Sequence, residues 1–451
     1  MKVSAVFDIG KTNKKFFLFD QKYQEVFKEY VRFDPITDDD GDECENLEVI
    51  EEWMRELFRK ISRKKKYKIQ TLNFSAYGAS FVHIGADGKP VAPLYNYLKP
   101  IPEDFFKSLY DQYGGQLNVC RQTASPALGF LNSGLQLYWL KHQRPEVFKK
   151  IKWSLHLPQY LSYLFTENPV SDFTSIGCHT TLWDFEQHDY HQWVYQEGID
   201  KILAPVVNTG SAANREFHGR NLKVGVGIHD SSAALLPYIR SDHKPFLLVS
   251  TGTWSIALNG FSRDPLSDED LAHDCLNYMR INGSPVRSCR LFLGNEYRAQ
   301  VGHLHQHFHQ EYGYHRNIGF DGETYRKLKE NYRQYFRFEH ITLPRKTEPN
   351  GLEQFDSFEV ALHQLVLELV ELQAACIERA IGNTEIKKLY VDGGFAGNDL
   401  FVHMIADHFP HYKLRTTRSP LGSALGAAIV TSKPELNKKF LKKKYAMKKL
   451  V

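Results

Sequence analysis

Four short stretches combine acids, hydroxyl residues and glycines in a way that suits phosphoryl transfer. They are DIGKTN at residues 8–13, GVGIHD at 225–230, STGTWS at 250–255 and DGGFAGN at 392–398. A triphosphate needs backbone N–H donors and hydroxyls from tight turns, where glycine lets the chain approach closely. Magnesium prefers carboxylate oxygens, and an attacking alcohol needs a base to accept its proton. Two facing turns and two acids would supply such a site.

The hydrophobic pattern of the first half predicts the elements that hold the first stretch. Residues 3–8 predict a strand, and residues 14–20 and 25–33 predict its hairpin partners. A helix is predicted over 47–61, because its apolar residues recur at steps of three and four, and 69–75 predicts a further strand. This order is typical of the opening of a ribonuclease-H-like α/β layer.

The second half repeats the pattern. Residues 246–250 and 254–258 predict a hairpin around the second glycine-rich turn, and 360–381 predicts a long helix. Strands are then predicted at 388–392 and 414–417, and helices at 398–409 and 421–431. The predicted fold class is therefore α/β, with a ribonuclease-H-like domain in each half.

A domain boundary is expected near residues 235–245. There Leu236-Pro237 and the polar stretch from Arg240 to Lys244 interrupt the periodic pattern. We predict a first domain over 1–238, a second over 239–435 and a basic tail over 436–451.

The composition is that of a globular protein with more than one domain. With 451 residues the chain exceeds one ordinary core, and its 42% hydrophobic and 24% charged residues are typical values. The net charge of +4 predicts no general surface for nucleic acid. No 18-residue apolar run occurs and MKVSAVFDIG reaches an acid early, so we predict no membrane span and no secretory signal. Six scattered cysteines without C-x-x-C indicate reduced thiols and a cytoplasmic protein.

Taken in order, the four stretches resemble the FGGY family of carbohydrate kinases. DIGKTN is similar to the family's first phosphate loop, usually D-x-G-T-[ST], and STGT to its second. GIHD is similar to the segment with the catalytic aspartate. DGGFAGN, with residues 419–428, is similar to the adenosine-binding stretch and the last helix. The resemblance extends over about residues 1–432. It implies two ribonuclease-H-like domains of the actin and hexokinase type that flank a deep cleft.

The resemblance implies ATP and Mg²⁺ as cofactors and assigns roles to particular residues. Asp8 would hold the hydrated magnesium, and Asp230 would be the base. The residues expected at the phosphates and nucleotide are Gly10, Lys11, Thr12, Asn13, Thr251, Gly252, Thr253, Gly393, Gly394 and Asn398. Lys11 departs from the usual threonine, and could either add charge to the phosphate pocket or point into solvent.

A sugar pocket is expected in the first domain. The resemblance places Tyr77, Gly78, Asn96 and His229 beside Asp230, since aromatic faces stack on sugar C–H surfaces and Asn and His supply directed hydrogen bonds. The Trp of STGTWS, and Tyr95-Asn96-Tyr97 where the family has W-N-D, are closer to the rhamnulokinase and L-fuculokinase branches than to glycerol kinases.

The function so implied is ATP-dependent phosphorylation of a small ketose such as rhamnulose or fuculose. Two alternatives stay open: a kinase for xylulose, glycerol or another polyol, and a catalytically silent, nucleotide-gated sugar sensor of the same fold. The expected partner is a small-molecule sugar, with neither nucleic acid nor membrane. Homodimers are common in the family, so a homodimer also stays open.

Each stretch alone also has a structural explanation. Asp8 could cap a turn, Asp230 could be the N-cap of a helix beginning near Ser231, and residues 393–394 could form only a strand-to-helix turn.

Two further runs are interpreted structurally. The histidines at 303, 305, 307 and 309 form two i,i+4 pairs on different helix faces without an acid, so we interpret them as solvated or partly buried. The basic runs at 64–66 and 438–449 are interpreted as solvated helix ends and a frayed terminus.

Overall fold

Two seven-stranded sheets form the framework of the chain, one in each half. The computed structural model describes residues 1–341, 351–417, 422–432, 436–444 and 448–449. Residues 419–421, which the sequence analysis includes in the adenosine-binding stretch, lie outside the described residues.

The first sheet brings the carboxyl ends of three parallel strands to one edge. Its strands are β1 (Lys2–Ile9), β2 (Lys14–Asp20), β3 (Glu25–Val31), β4 (Lys68–Ala76), β5 (Ala212–Phe217), β6 (Arg220–Gly225) and β7 (Ile228–His229). Their order is β5-β6-β4-β1-β2-β3, and β7 also pairs with β4. Asp8 lies opposite Ser75, and Ala76 lies opposite His229. Asp8 and the residue after β7, Asp230, therefore reach the same edge.

Helix α1 (Leu47–Ser62) covers this sheet as its spacing predicts. The side chain of Asn46 caps its first turn by accepting a hydrogen bond from the Val49 N–H at 3.3 Å. Its buried face packs with the aromatic residues Phe7, Phe16 and Phe74 of the strands. The predicted helix and its buried face are confirmed.

The second sheet repeats the arrangement of the first. Its strands are β8 (Leu247–Thr251), β9 (Ser255–Asn259), β10 (Cys275–Met279), β11 (Pro285–Leu291), β12 (Lys388–Gly393), β13 (Lys413–Thr416) and β14 (Lys448–Lys449). Strand β8 is antiparallel to β9 and parallel to β12, as β1 is to β2 and β4. Each half thus places one hairpin turn beside the end of a parallel strand.

Two helices, α2 (Asp230–Ser241) and a later helix over Gly422–Ser432, pack against each other between the sheets. Helix α2 continues through Pro237, so it spans the boundary expected near 235–245, and the chain leaves it only at Asp242. Pro237 has no N–H for the Ala233 carbonyl. That carbonyl lies against Gly426, where an added Cβ would be 1.9 Å from the oxygen. The close helix contact explains why the proline does not end the helix.

The other helices of the second half are α3 (Leu293–His307), α4 (Phe358–Ile381) and α5 (Asp399–His408), with shorter helices at Asp268–Ala272 and Gly322–Glu330. The helix over Gly422–Ser432, α6, contacts β1 and β4 of the first sheet. Among the described helices, α4 alone is long and apolar enough to cross a membrane. It is mostly buried in the core of the second half, so it is a core helix here.

An insertion between β4 and β5 forms its own apolar cluster over the first sheet's edge. Its helices are Lys107–Gln112, Gln116–Gln122, Ser133–Gln143, Pro145–Phe148, Leu157–Thr166, Phe173–Ile176 and Gln192–Gln196. Short strand pairs join Phe81–Ile84 to Trp153–His156, Ser171–Asp172 to Val206–Val207, and Trp183–Asp184 to Asp189–Tyr190; before α1, Ile36–Thr37 pairs with Glu43–Cys44.

The described part of the basic tail is not frayed, contrary to the interpretation above. A helix spans Lys438–Lys444, and its Leu441 is buried. The ring of Phe440 packs edge-on against Tyr23, with ring centroids 6.0 Å apart. Strand β14 pairs with β13. The lysines are spaced by apolar residues that anchor the segment.

Candidate active site

Two carboxylates from the first half lie at the edge of the first sheet where its parallel strands end. Asp8 is the penultimate residue of β1 and is 5% exposed, and its Oδ2 lies 3.4 Å from the Lys15 ammonium on β2. Asp230 is the first residue of α2, with its side chain 36% exposed. It is therefore a helical residue and not the N-cap, a position that His229 occupies. The structure brings the predicted magnesium ligand and the predicted base together.

The surroundings of Asp230 oppose its ionisation. Burial raises the pKa of this carboxyl above its ordinary value of 3.8, and the negative charge of Asp8 raises it further. His229 and hydrogen bonds from Ser231 act in the opposite direction. A carboxylate with a raised pKa is a stronger proton acceptor, as a general base requires.

The turn between β1 and β2 presents unpaired backbone donors. The Gly10 N–H donates to the Asn13 carbonyl at 3.0 Å and closes the turn. In the described chain, the N–H groups of Lys11 and Thr12 have no hydrogen-bond partner. The Thr12 side chain is exposed, whereas Asn13 Oδ1 accepts a hydrogen bond from Arg32 at 2.8 Å. The backbone of this turn fits a phosphate, but the Asn13 side chain is occupied elsewhere.

The turn between β8 and β9 is tied to the end of β12. The Thr251 hydroxyl donates to the Asp392 carbonyl at 2.5 Å and accepts from the Phe395 N–H at 3.0 Å. The next two residues, Gly252 and Thr253, are exposed. Thr251 is buried, so it holds the strands together and leaves Gly252 and Thr253 to meet a ligand.

Gly393 and Gly394 differ in what the absence of a side chain allows. Gly393 has φ +86°, and an added Cβ would lie 1.8 Å from the Thr251 carbonyl oxygen. A Cβ added to Gly394 would meet no atom within 4 Å, so a nucleotide could approach the backbone there. Asn398 caps α5 by accepting from the Phe401 N–H at 3.0 Å. These residues fit a nucleotide, with Gly393 shaping the backbone and Gly394 leaving room.

A substitution at each glycine separates the two roles. We expect Gly393→Ala to lower the free energy of unfolding by at least about 2 kcal/mol, because the residue combines positive φ with a backbone clash. Gly394→Ala should leave stability nearly unchanged, which urea denaturation can measure. Equal stability of the two variants would contradict this assignment.

Lys11 lies on the first-half side of the cleft. Its ammonium is 3.6 Å from a Glu45 carboxylate oxygen, and 5.9 and 5.6 Å from the ring centroids of Tyr77 and Tyr97. The side chain is 28% exposed, so it does not extend into solvent. Glu45 also binds the buried Lys14 ammonium at 2.6 Å. Neither Glu45 nor Tyr97 was among the predicted site residues.

Tyr97, the residue after the predicted Asn96, lies near Asp230. Burial raises the pKa of Tyr97 to about 12, and the nearby charge of Asp230 contributes to this rise. The Asn96 side chain instead accepts a hydrogen bond from the Leu98 N–H at 3.0 Å and closes a local turn. The predicted segment therefore reaches the pocket, but through the residue next to the expected one.

His229 forms the wall of the pocket beside the base. Its Nε2 lies 3.2 Å from Asp230 Oδ1 and 3.2 Å from Cys178 Sγ, and its ring stacks on Tyr278 at 5.3 Å. Burial lowers the pKa of His229, which favours the neutral ring beside Asp230. An added Cβ on Gly78 would be 2.7 Å from Cys178 Sγ. A larger residue at Gly78 would therefore displace this wall.

Arg290 brings a charge from the second sheet to the same pocket, and sequence reasoning missed it. Its Nε and Nη2 donate to the two oxygens of Asp274 at 3.1 and 2.7 Å. Its guanidinium lies 4.9 Å from the Trp254 ring centroid. Both Arg290 and Asp230 act electrostatically on Tyr97, Cys178 and Tyr278. The two halves therefore face one pocket.

The histidine run forms no metal site in the described residues. Helix α3 ends at His307, so His309 lies outside it. Nε2 of the buried His305 is 2.9 Å from Nδ1 of His315, and His303 pairs with Glu339 at 3.4 Å. These contacts are structural.

The fold and this pocket define a class of proteins, the two-lobed phosphoryl-transfer fold of the actin and hexokinase type. Residues 3–228 match the model "FGGY family of carbohydrate kinases, N-terminal domain", and residues 243–314 match "Carbohydrate kinase FGGY, C-terminal domain". The chain belongs to the FGGY family of carbohydrate kinases, which confirms the resemblance and the fold class.

Curated relatives include rhamnulokinases. That of Halalkalibacterium halodurans is 23% identical over 269 residues, which cover 57% of this chain and 56% of that protein. That of Yersinia pestis (strain Pestoides F) is 24% identical over 293 residues, which cover 62% of this chain and 58% of that protein. The matched stretch therefore spans less than two thirds of these relatives.

Solved structures of sugar kinases share the fold. A carbohydrate kinase from Novosphingobium aromaticivorans has a TM-score of 0.77 at 23% identity, covering 96% of this chain and 92% of that chain. A xylulose kinase from Lactobacillus acidophilus has a TM-score of 0.80 at 13% identity, covering 100% and 93%. At these identities the likeness shows the fold alone.

Proposed function

We propose that the chain is an ATP-dependent kinase that phosphorylates a hydroxyl of a small ketose of the rhamnulose or fuculose type. The observation that carries this proposal is the meeting of Asp8 and Asp230 at one edge, facing Arg290 from the second sheet. Family membership and the rhamnulokinase relatives support the substrate class. The site thus has a metal ligand, a base and a second-half cation around one pocket.

Asp230 is the proposed general base. It accepts the proton of the acceptor hydroxyl, and His229 orients its carboxylate through Oδ1 at 3.2 Å. Tyr77 and Tyr97 offer aromatic faces to the sugar, and Lys11 offers a donor beside them. Holding the acceptor oxygen in line with the phosphorus supplies much of the acceleration.

The two turns are proposed to hold the nucleotide. The backbone of residues 10–13 and the exposed residues Gly252 and Thr253 bind the phosphates, and Gly394 leaves room for the nucleoside. Asp8 would hold hydrated Mg²⁺, which neutralises phosphate charge when bound. Closure of the halves would exclude water, itself a phosphoryl acceptor.

The domain roles follow from this assignment. We propose that residues 1–238 bind the sugar and residues 239–435 bind the nucleotide, with the hinge at the end of α2. A cytoplasmic location belongs to the same proposal.

A substrate panel tests the proposed function. L-rhamnulose, L-fuculose, D-xylulose and glycerol would be compared in a coupled ADP-release assay. We expect the highest kcat/KM for a deoxy-ketose, because the pocket wall of Tyr77 and Tyr97 favours an apolar sugar face. A preference for glycerol or xylulose would assign the other substrate, and ADP release indifferent to all of them would contradict kinase activity.

Substitutions of Lys11 and Lys15 should change the kinetic dependence on different substrates. Lys11→Met should raise the KM for sugar about fivefold and leave the KM for ATP nearly unchanged, because its ammonium lies over the two tyrosine rings. Lys15→Met is the matched control, since Lys15 pairs with Asp8 instead. It should change the ATP dependence more than the sugar dependence. The opposite split would place Lys11 at the phosphates.

The pH profile should report the raised pKa of Asp230. A base must be ionised, so kcat/KM for sugar should fall as pH drops through a midpoint above the ordinary 3.8 of aspartate. Circular dichroism over the same pH range would show that the chain stays folded. A profile that remains flat down to 3.8 would contradict burial of the base.

A further inference from the structure

Three arginines gather at the end of α2 remote from Asp230. Arg240 lies in the last turn of α2, Arg263 follows β9, and Arg280 follows β10. Burial lowers the pKa of Arg280, and the charges of Arg263 and Arg240 lower it further. Arg263 and Arg240 are therefore each close enough to Arg280 to repel its charge.

No carboxylate neutralises this cluster in the described chain, where the arginine ion pairs involve other residues. The nearest acids in sequence have other partners. Asp242 accepts hydrogen bonds from Lys388 and from the Tyr390 hydroxyl, the latter at 2.9 Å. Asp264 accepts from the Asn383 N–H at 3.0 Å. Among the residues that the structure describes, no carboxylate pairs with these positive charges.

Ordinary structural roles account for only part of the cluster. The negative end of the α2 dipole favours Arg240. Arg280 Nη1 donates to the Gly260 carbonyl at 3.4 Å, and Arg263 Nη1 donates to the Ser262 carbonyl at 3.3 Å. Each guanidinium has five N–H donors, so most remain available, and neutral carbonyls do not cancel the charge.

A cavity of about 280 Å³ opens beside these charges. Arg240, Arg280 and His243 line its polar side. Its other wall is apolar and comprises Leu235, Leu236, Ile239, Met279 and Ile281. The volume is near the lower end for small-molecule sites, which suits a small ligand with one charged end.

We propose that this cavity binds a small phosphate monoester, with the dianionic phosphate on Arg240 and Arg280 and the carbon body on the apolar wall. Guanidinium groups bind phosphate through short, charge-assisted and bidentate hydrogen bonds. Arg240 belongs to the helix that begins at Asp230, whereas Arg263 and Arg280 lie in the loops that follow β9 and β10. The cavity lies at the end of that helix remote from Asp230, so the site goes beyond the proposed kinase reaction.

Calorimetric titration with phenyl phosphate tests the site on the full chain in phosphate-free buffer. A non-hydrolysable ATP analogue with Mg²⁺ would be present to occupy the phosphate turns of the active site. We expect saturable binding, weakened about tenfold or more in Arg280→Gln, since a charged hydrogen-bond donor to phosphate is lost. Arg59→Gln, an exposed arginine on α1, should bind as the wild type does.

A second titration, with inorganic phosphate, distinguishes the contribution of the phosphate group to binding from that of the apolar wall. Inorganic phosphate should bind at the same site but more weakly than phenyl phosphate, because it makes no contact with the apolar wall. Equal affinities would overturn the assignment to an ester, and no binding, or equal loss in Arg59→Gln, would overturn the site. If Arg280→Gln does not fold, Arg240→Gln replaces it, with the same expected loss.

Discussion

Asp230→Asn is expected to lower kcat by about 10²–10⁴-fold, the usual contribution of a general base. Asn has nearly the same shape and can still accept the hydrogen bond from the Ser231 hydroxyl, but it cannot accept the hydroxyl proton. The affinity for ATP should stay close to that of the wild type, because the phosphates are held by the turns at 10–13 and 252–253. Steady-state kinetics with sugar, and equilibrium binding of ATP, would measure both.

Asp268→Asn is the matched control for Asp230→Asn. Asp268 is also the first residue of a helix, but it is exposed and pairs at 3.5 Å with Arg121 far from the pocket. Its replacement should leave kcat unchanged. Near-normal turnover of Asp230→Asn would remove Asp230 from the role of base.

Asp8→Asn is expected to weaken magnesium dependence and catalysis together. Loss of a carboxylate that holds the hydrated ion should raise the magnesium concentration for half-maximal rate by about 10- to 100-fold. The same change removes one cause of the raised pKa of Asp230, so the acid limb of the residual activity should move to lower pH. Magnesium titrations and pH profiles of the variant would measure the two effects.

Asp20→Asn serves as the control for Asp8→Asn. Asp20 ends β2 at the opposite end of the same hairpin, where its carboxylate accepts from the N–H groups of Lys22 and Gln24 at 2.8 Å. This variant should lose some stability but retain the wild-type magnesium titration. An unchanged titration in Asp8→Asn would contradict its role at the metal.

The sheets and helices of the two halves could be predicted from hydrophobic periodicity, because that pattern depends only on neighbouring residues in the chain. Strand β2, helix α1 and the core face of α4 follow from spacings within one element. Pro237 shows where a local rule fails, since the contact of its helix with Gly426 is made by residues almost two hundred positions later. The helix therefore continues where the local pattern predicts a break.

Contacts across the pocket could not be predicted from the sequence. Arg290 lies within the alternating pattern of β11, and its pairing with Asp274 depends on the register of a hairpin. The direction of Lys11 depends on Glu45, which reaches it from a loop before α1. Tyr97 replaces Asn96 in the pocket because the Asn96 side chain closes its own turn. A sequence motif identifies the segment that reaches the pocket, but packing determines which of its side chains enters it.

Transfer of labelled γ-phosphate from ATP tests most directly whether both halves serve one phosphoryl group. In a single turnover with excess enzyme and the preferred ketose, we expect the label in the sugar phosphate, with one ADP formed for each sugar phosphorylated. Asp230→Asn should bind both substrates and transfer the label far more slowly. Label released only as inorganic phosphate, at a rate independent of sugar, would contradict a shared site with Asp230 over the acceptor.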